Sequence, residues 1–201
     1  MPTVVTETPY RPVSTEPRRK LWTRAECAAF EATGLWDQEH LELVEGELIN
    51  KMGKNRPHTN TLVTVMLWLQ QVFGGEFVTP EAPIDVAPED NPTNEPEPDL
   101  VVLVKPFREY RTGNPRPEDL RLLVEIADST VGFDLKTKAA LYARAGIVEY
   151  WAFDIPARRL IVHRDPREGR YQLVTAYNEQ ESVSPLASPA HAFRVGDAFP
   201  A

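Results

Sequence analysis

The stretch LRLLVEIADSTVGFDLKTKAALYARAGIVEYWAFD, from Leu120 to Asp154, decides the fold of this chain. It begins with LRLLVEIA and ends with IVEYWAFD, two segments rich in apolar residues that predict buried strands. The residues between them predict a helix from about Asp134 to Ala145. Gly146 is expected to end this helix, because glycine readily adopts the backbone conformation found there. The stretch therefore predicts a strand, a helix and another strand.

Further elements are expected on both sides of this stretch. LVVLV (100–104) predicts another buried strand, and RRLIVHR and RYQLVTAY, which begin at Arg158 and Arg170, predict an antiparallel pair. Apolar residues at three- and four-residue steps after Pro57 predict an amphipathic helix that ends at Gly74. We expect an α/β fold with an α+β-like mixed sheet, helices packed on that sheet, and extra antiparallel strands.

The N-terminal half adds a short helix and a hairpin. Thr23 and Glu26 form a capping-box pattern before an apolar segment, which predicts the start of a helix. LELVEGELI (41–49) alternates in polarity on either side of a glycine and predicts a small hairpin, whereas EFVTPEAPIDVAP (76–88) predicts an edge strand broken by prolines. Four apolar residues of the irregular tail are expected to pack on the sheet: Val183, Leu186, Phe193 and Phe199.

Composition divides the chain into three parts. Residues 1–20 are polar and rich in proline, which predicts a flexible N-terminal arm. Residues 21–180 are expected to form the domain itself, and residues 181–201 a C-terminal extension packed on it.

Charge and cysteine content exclude several classes of protein. The 201 residues carry a net charge of -8, which argues against a protein that coats nucleic acid through overall basicity. The single Cys27 excludes an intramolecular disulfide and a cysteine-based zinc cluster. No apolar run approaches the ~20 residues that cross a bilayer, and no secretory signal pattern is present. We therefore expect a cytoplasmic protein that does not associate with membranes.

Two carboxylates stand out because each lies beside strongly apolar strand residues. Asp99 follows Pro98 at the start of the strand at 100–104, and Glu125 lies inside the strand at 120–127. An ionised carboxylate in such a place costs free energy unless it is paired or binds a metal. If the strands are neighbours, a divalent cation between the carboxylates would relieve their repulsion, and oxygen ligands favour Mg²⁺ or Mn²⁺. Alternatively, Asp99 caps a loop and Glu125 pairs with an arginine such as Arg121.

A lysine lies on the apolar face of the predicted helix. At about 100° per residue, Lys138 falls on the same face as Leu135 and Tyr142, whereas Lys136 and Arg144 fall outside it. A lysine that faces the core needs an anionic partner or a long path to solvent. Its partner is expected to be the carboxylate site on the preceding strand. The alternative is a surface pair with Asp134.

These residues resemble the signature of the PD-(D/E)XK nuclease superfamily: Pro98-Asp99, then Glu125, then a basic residue. The segment from Leu122 to Asp154, HLELVEGELI (40–49) and His58 are similar to the Uma-two family, a group of proposed restriction endonucleases. The resemblance covers about residues 21–174. It implies a restriction-endonuclease-like core, phosphodiester hydrolysis that depends on Mg²⁺ or Mn²⁺, a nucleic-acid substrate that we expect to be DNA, and a homodimer.

The resemblance assigns roles to individual residues. Asp99 and Glu125 would bind the metal. The superfamily lysine would stand at position 127, which is Ala127 here, so Lys138 matches the catalytic lysine and Lys136 is the second choice. Glu42 is the best match for an upstream catalytic carboxylate, with Glu47 second, and the exposed face of a strand is the alternative place for Glu42. His58 would contact phosphate or water, unless it only caps or packs a helix.

Two other classes of function remain open. A nuclease-derived fold can bind nucleic acid or protein without cutting, and the acidic charge and absence of a recognisable DNA-reading motif are compatible with such a module. A purely structural protein would not bring Asp99, Glu125 and Lys138 together in space.

Overall fold

A six-stranded mixed sheet forms the centre of the protein in a computed structural model that describes residues 19–34, 41–50 and 55–199. The strands are β1 (Leu41–Val44), β2 (Glu47–Asn50), β3 (Val78–Pro80), β4 (Leu100–Leu103), β5 (Leu120–Ala127), β6 (Glu149–Asp154), β7 (Arg159–Arg167), β8 (Arg170–Asn178), β9 (Ser182–Val183) and β10 (Phe193–Arg194). The helices are α1 (Arg24–Glu31), α2 (Arg56–Phe73), α3 (Val131–Phe133) and α4 (Ala139–Arg144), and a π-helical segment (Asp134–Lys138) joins the last two.

The large sheet has the order β3-β4-β5-β6-β7-β8. β5 and β6 pair in parallel because the chain returns through the helical segment between them, whereas the other neighbours in this sheet pair antiparallel. The hairpin β1–β2 and the pair β9–β10 form two separate small sheets. This arrangement confirms the predicted mixed sheet with extra antiparallel strands.

Local sequence signals explain where several elements begin and turn. The side chain of Thr23 accepts from the backbone of Glu26, so the predicted capping box begins α1. Asn55 caps α2 by accepting a hydrogen bond from the backbone N–H of His58 at 3.0 Å. In the turn between β1 and β2, Gly46 has a φ of 74°, a left-handed conformation that glycine adopts without strain.

The sheet buries both of its faces. On β5, Leu122, Val124 and Ile126 lie in a cluster with apolar residues of α2, whereas Leu123 lies in a second cluster with Ala139 and Tyr142 of α4. Because side chains alternate along a strand, Glu125 points to the same face as Leu123. The α4 side of the sheet therefore receives the carboxylate of Glu125.

Several expected details differ from the structure. The strand expected at 76–88 is reduced to β3 because its prolines cannot donate to a strand ladder. The sequence predicts that Leu186 packs on the sheet, but this residue is 52% exposed. Its backbone N–H donates a hydrogen bond to the buried Glu149 at 2.7 Å. Val183, Phe193 and Phe199 are buried as expected. The proposed arm at 1–20 lies outside the described residues except for its last two.

His163 of β7 is a histidine inside the core. It is 4% exposed and its ring stacks on Tyr150, with 4.9 Å between ring centroids, and lies 5.4 Å from the ring of Tyr171. Its Nδ1 atom is buried and has no hydrogen-bond partner among the described residues. Burial lowers the pKa of His163 to about 4, because a charged imidazole would lose its hydration there.

The stability of the protein should consequently fall as the pH falls below about 6.5. In that range the unfolded chain binds a proton at His163, whereas the folded chain does so only near pH 4. The full shift corresponds to about 3 kcal/mol of unfolding free energy. Urea unfolding of His163→Phe between pH 7 and pH 4 should show a smaller loss than wild type. The control His191→Phe, which changes an exposed histidine, should retain the wild-type loss. An equal loss of unfolding free energy between pH 7 and pH 4 in all three proteins would contradict this account.

Candidate active site

The ammonium group of Lys138 lies between two buried carboxylates. Its Nζ atom is 2.8 Å from Oε1 of Glu42 and 2.9 Å from Oε1 of Glu125. All three residues are at most 4% exposed. The hairpin supplies Glu42, β5 supplies Glu125 and the π-helical segment supplies Lys138. The hairpin, which is distant in sequence, thus meets β5 and the helical segment that follows it at one buried ion cluster.

Asp99 lies directly beside this cluster. Leu100 pairs with Val124 across β4 and β5, so the preceding residue Asp99 lies opposite Glu125. The backbone N–H of Asp99 donates to Oε2 of Glu125 at 3.3 Å, and Oδ2 of Asp99 accepts from the backbone N–H of Ile126 at 2.7 Å. Nε2 of His58 is 3.5 Å from the same Oδ2 atom. The pairing of β4 and β5 therefore places the two carboxylates next to each other.

The π-helical turn orients the residues that bind Glu125. A π-helix bonds residue i to i+5 and typically occurs as a single turn within an α-helix, often at a functional site. Here it begins at Asp134 and ends at Lys138, both buried. One turn later, the fully buried Tyr142 donates its hydroxyl to Oε1 of Glu125 at 2.8 Å. Lys138 and Tyr142 therefore hold the same carboxylate oxygen from one side of the helix.

Burial and the neighbouring charges shift the pKa values within the cluster. Burial raises the pKa of Glu125 to about 8, with Lys138 opposing the rise and the carboxylate of Asp99 adding to it. For Lys138, burial lowers the pKa, but the adjacent carboxylates of Glu125 and Glu42 outweigh burial and raise it above its usual value. Burial likewise raises the pKa of Asp134, which accepts a hydrogen bond of 2.5 Å from the hydroxyl of Thr130.

The cluster forms one wall of a pocket of about 280 Å³. Among the described residues that line the pocket, Lys138 and His58 are basic or potentially basic. Its acidic lining residues are Glu42, Glu81, Asp99, Glu125, Asp128 and Asp134. The described lining residues thus carry more acidic than basic groups, and such an excess favours cations over free phosphate groups.

The structure separates the candidates that were close alternatives in the sequence. Lys136 is exposed and does not line the pocket, and Glu47 is exposed and pairs with Arg19 at 3.2 Å. Arg121 donates to the backbone oxygen of Val104 at 3.1 Å rather than pairing with Glu125. Asp134 is buried, so a surface pair between Asp134 and Lys138 does not form. The carboxylate partners of Lys138 are Glu42 and Glu125.

Two residues of the pocket region were not selected from the sequence as site residues. The sequence places Tyr142 on the apolar face of the predicted helix, which does not indicate a role for its hydroxyl. Its spacing of four residues from Lys138 is a signal that could have placed both polar groups on one face. Asp134 stands at the predicted start of the helix. In the structure helical geometry already begins at Val131, so Asp134 lies within the helical segment and faces the pocket.

The oxygen donors of the pocket fit a hard divalent cation. No group of three His, Cys, Asp or Glu side chains suited to holding a metal occurs within the described ranges. Mg²⁺, however, is commonly held by one or two carboxylates and several waters, and Asp99 and Glu125 form an adjacent pair of that kind. The surplus of acidic groups among the described lining residues also favours the binding of a cation.

Lys138 should contribute strongly to stability because it neutralises buried carboxylates. Lys138→Met removes the cation and leaves Glu42 and Glu125 without it, which should lower the unfolding free energy by about 3–5 kcal/mol at neutral pH. Lys136→Met is the matched control, since Lys136 is exposed, and it should change the value by less than about 0.5 kcal/mol. Chemical denaturation measures both. A Lys138→Met protein as stable as wild type would show that the cluster does not stabilise the fold.

Comparisons with known proteins identify the family and the fold of the chain. The sequence profile of the Uma2 family, described as "Putative restriction endonuclease", matches residues 29–195. A solved structure described as a putative nuclease belonging to DUF820 from Anabaena variabilis ATCC 29413 is similar with a TM-score of 0.62 and 16% identity, over 81% of this chain and 90% of that chain. No curated protein sequence matches the chain. The structural likeness shows a shared fold. The profile confirms the resemblance found in the sequence, and the chain belongs to the Uma2 family.

Proposed function

We propose that this protein is a metal-dependent endonuclease that hydrolyses phosphodiester bonds in DNA. Asp99 and Glu125 would hold Mg²⁺ or Mn²⁺, and Lys138 and Glu42 would complete the catalytic group. The observation that carries the proposal is the buried Lys138, held at 2.8 and 2.9 Å by two carboxylates beside Asp99. Burying these charges costs free energy, and catalytic sites are where such shifted groups concentrate.

Electrostatics explains why a cation belongs to this proposal. A phosphodiester is an anion, and six of the described residues that line the pocket are acidic. When bound, a divalent cation neutralises charge on the phosphate and lowers the pKa of a coordinated water. Without it, a phosphate would be repelled from Asp99 and Glu125.

Lys138, Glu42 and His58 would have different roles in this proposed reaction. Lys138 remains an ammonium between Glu42 and Glu125, so it acts by donating hydrogen bonds and stabilising negative charge on the phosphate rather than by accepting a proton. Glu42 accepts a hydrogen bond from the backbone of Glu97 at 3.1 Å, which holds its carboxylate in place. His58 lies at the edge of the pocket, 3.5 Å from Asp99, where it could contact phosphate or water.

A DNA-binding module that does not cleave is the second candidate. Both oxygens of Glu125 already have partners, because Lys138 and Tyr142 bind Oε1 and the backbone of Asp99 binds Oε2. A metal ion would therefore have to share or displace one of these contacts. Calorimetric titration with Mn²⁺ tests the endonuclease, since it must bind the ion and Glu125→Ala must abolish that binding, whereas a wild-type protein that binds no ion would favour the non-cleaving module.

Substitution of Asp99 tests catalysis directly. Asp99→Ala should remove metal-stimulated DNA cleavage, with a decrease in rate of about a hundredfold or more, because one carboxylate of the metal pair is lost. Cleavage of plasmid and linear DNA in Mg²⁺ and in Mn²⁺ measures this effect, and circular dichroism checks that the variant is folded.

A second pair of variants provides the matched control. Glu42→Gln should reduce cleavage strongly, whereas Glu47→Gln, on the same hairpin but exposed, should cleave as wild type does. An Asp99→Ala protein that cleaves at the wild-type rate would contradict the proposed nuclease. Metal binding without cleavage by the wild-type protein would favour the non-cleaving module.

A cytoplasmic homodimer belongs to the same proposal, since cutting both strands of a duplex takes two sites. β8 is the last strand of the large sheet, and its Leu173 and Val174 are 59% and 56% exposed. An open edge with apolar side chains suits pairing with a second copy. Leu173→Lys should shift a dimer toward monomer in light scattering, and an unchanged mass would exclude this edge as the interface.

A further inference from the structure

A second cavity, of about 300 Å³, lies beside the first turn of α2. Arg56 and Arg158 line it together with the polar side chain of Asn60 and the apolar side chains of Pro57 and Ile155. No acidic residue is among its lining residues within the described ranges. Its charge is therefore opposite to that of the carboxylate pocket.

The two cavities are close neighbours. Asn55 and His58 line the carboxylate pocket, whereas Arg56 and Pro57, in the same turn of α2, line the second cavity. Because the two cavities lie at different sides of this turn and a helix with its side chains is about 10 Å across, the cavities are about 10 Å apart. Both cavities also lie where the parallel strands β5 and β6 end, since the backbone N–H of Ile155 donates to the oxygen of Ala127 at 2.9 Å.

The two arginines differ in how they are held. Arg158 donates to Oε1 of Glu179 and to the backbone oxygen of Phe199 at 2.9 Å, and its guanidinium lies 5.5 Å from the centre of the Phe199 ring. Arg56 is exposed and makes no hydrogen bond or ion pair with any residue that the structure describes. The side chain of Arg158 is thus held in place by its contacts, whereas the guanidinium of Arg56 has no anionic partner among the described residues.

These features suit a phosphate with its attached nucleoside. A guanidinium matches the geometry of phosphate oxygens, and the apolar surface of Pro57 and Ile155 can contact a sugar or base. The carboxylate pocket attracts cations but contributes no attraction for the rest of a polyanionic strand. A neighbouring basic cavity would supply that attraction.

We propose that this second cavity binds a flanking nucleotide of the same strand whose phosphodiester reacts in the carboxylate pocket, with Arg56 as the principal phosphate contact. This inference rests on the proposed nuclease function and adds a place for the substrate strand. A single strand of a duplex rises about 3.4 Å per nucleotide, so a separation of about 10 Å corresponds to roughly three nucleotides. Arg56 is then a binding residue that does not touch the reacting atoms.

Binding measured in an inactive background tests the cavity without requiring cleavage. In the Asp99→Ala protein with EDTA, fluorescence anisotropy with a labelled single-stranded oligodeoxynucleotide should show about tenfold weaker binding for Arg56→Glu at low salt. The slope of log Kd against log salt should fall by about 0.7, the value for one lost phosphate contact on a single strand. Arg56→Lys should restore most of the affinity.

Arg170→Glu is the matched control for this charge reversal. Arg170 is exposed at the start of β8, at the end of the sheet opposite Arg159 and Asp154, and it should bind DNA as the background protein does. In the catalytically competent protein, Arg56→Glu should raise KM for DNA about tenfold and leave kcat unchanged.

The two proposals fail in different ways. Unchanged affinity and salt slope for Arg56→Glu, or an equal loss for Arg170→Glu, would overturn the nucleotide site even if the protein cleaves DNA. Arg56-dependent binding in a protein that never cleaves would support the cavity as a nucleotide site and contradict the nuclease.

Discussion

The rest of the site depends on the ion cluster in which Lys138 lies between Glu42 and Glu125. Taking an ammonium and its carboxylate partners out of water is costly, and the cost is offset only when the buried groups have close partners. Contacts of 2.8 and 2.9 Å, together with the hydroxyl of Tyr142 on Glu125, meet that requirement. The same contacts tie the β1–β2 hairpin and the helical crossover to the central sheet, so the group that stabilises this region is also the proposed catalytic group.

The large sheet supplies the framework for this cluster. Antiparallel pairing of β4 and β5 sets Asp99 opposite Glu125, and the parallel pairing of β5 and β6 requires a crossover that brings Lys138 over β5. The resulting pocket is strongly acidic, and the neighbouring cavity with Arg56 and Arg158 is basic. In the proposed nuclease this division lets a cation bind at the reacting phosphate while the arginines hold the adjoining part of the strand.

Much of the fold follows from local patterns in the sequence. Apolar segments bounded by loop residues predicted β4, β5 and β6, and helical spacing predicted that Lys138 would face the core, where it is 3% exposed. These predictions succeeded because they concern which face of a strand or helix is buried, and the spacing of apolar residues along the sequence indicates that face directly. Prediction was weakest for short edge segments and for the tail, where Leu186 is exposed, since a few irregular residues carry no period.

The sequence by itself determined the strand-helix-strand unit, the buried place of Glu125 and Lys138, and the resemblance to a nuclease family that the profile over residues 29–195 confirmed. Only the tertiary structure decided that Glu42 rather than Glu47 reaches Lys138. Nearly a hundred residues separate Glu42 from Lys138, and the sequence pattern of a strand does not specify which distant element packs against that strand. The π-helical turn and the hydroxyl of Tyr142 on Glu125 were likewise settled by packing, because the hydrogen bonds that define them depend on neighbours brought together by the folded chain.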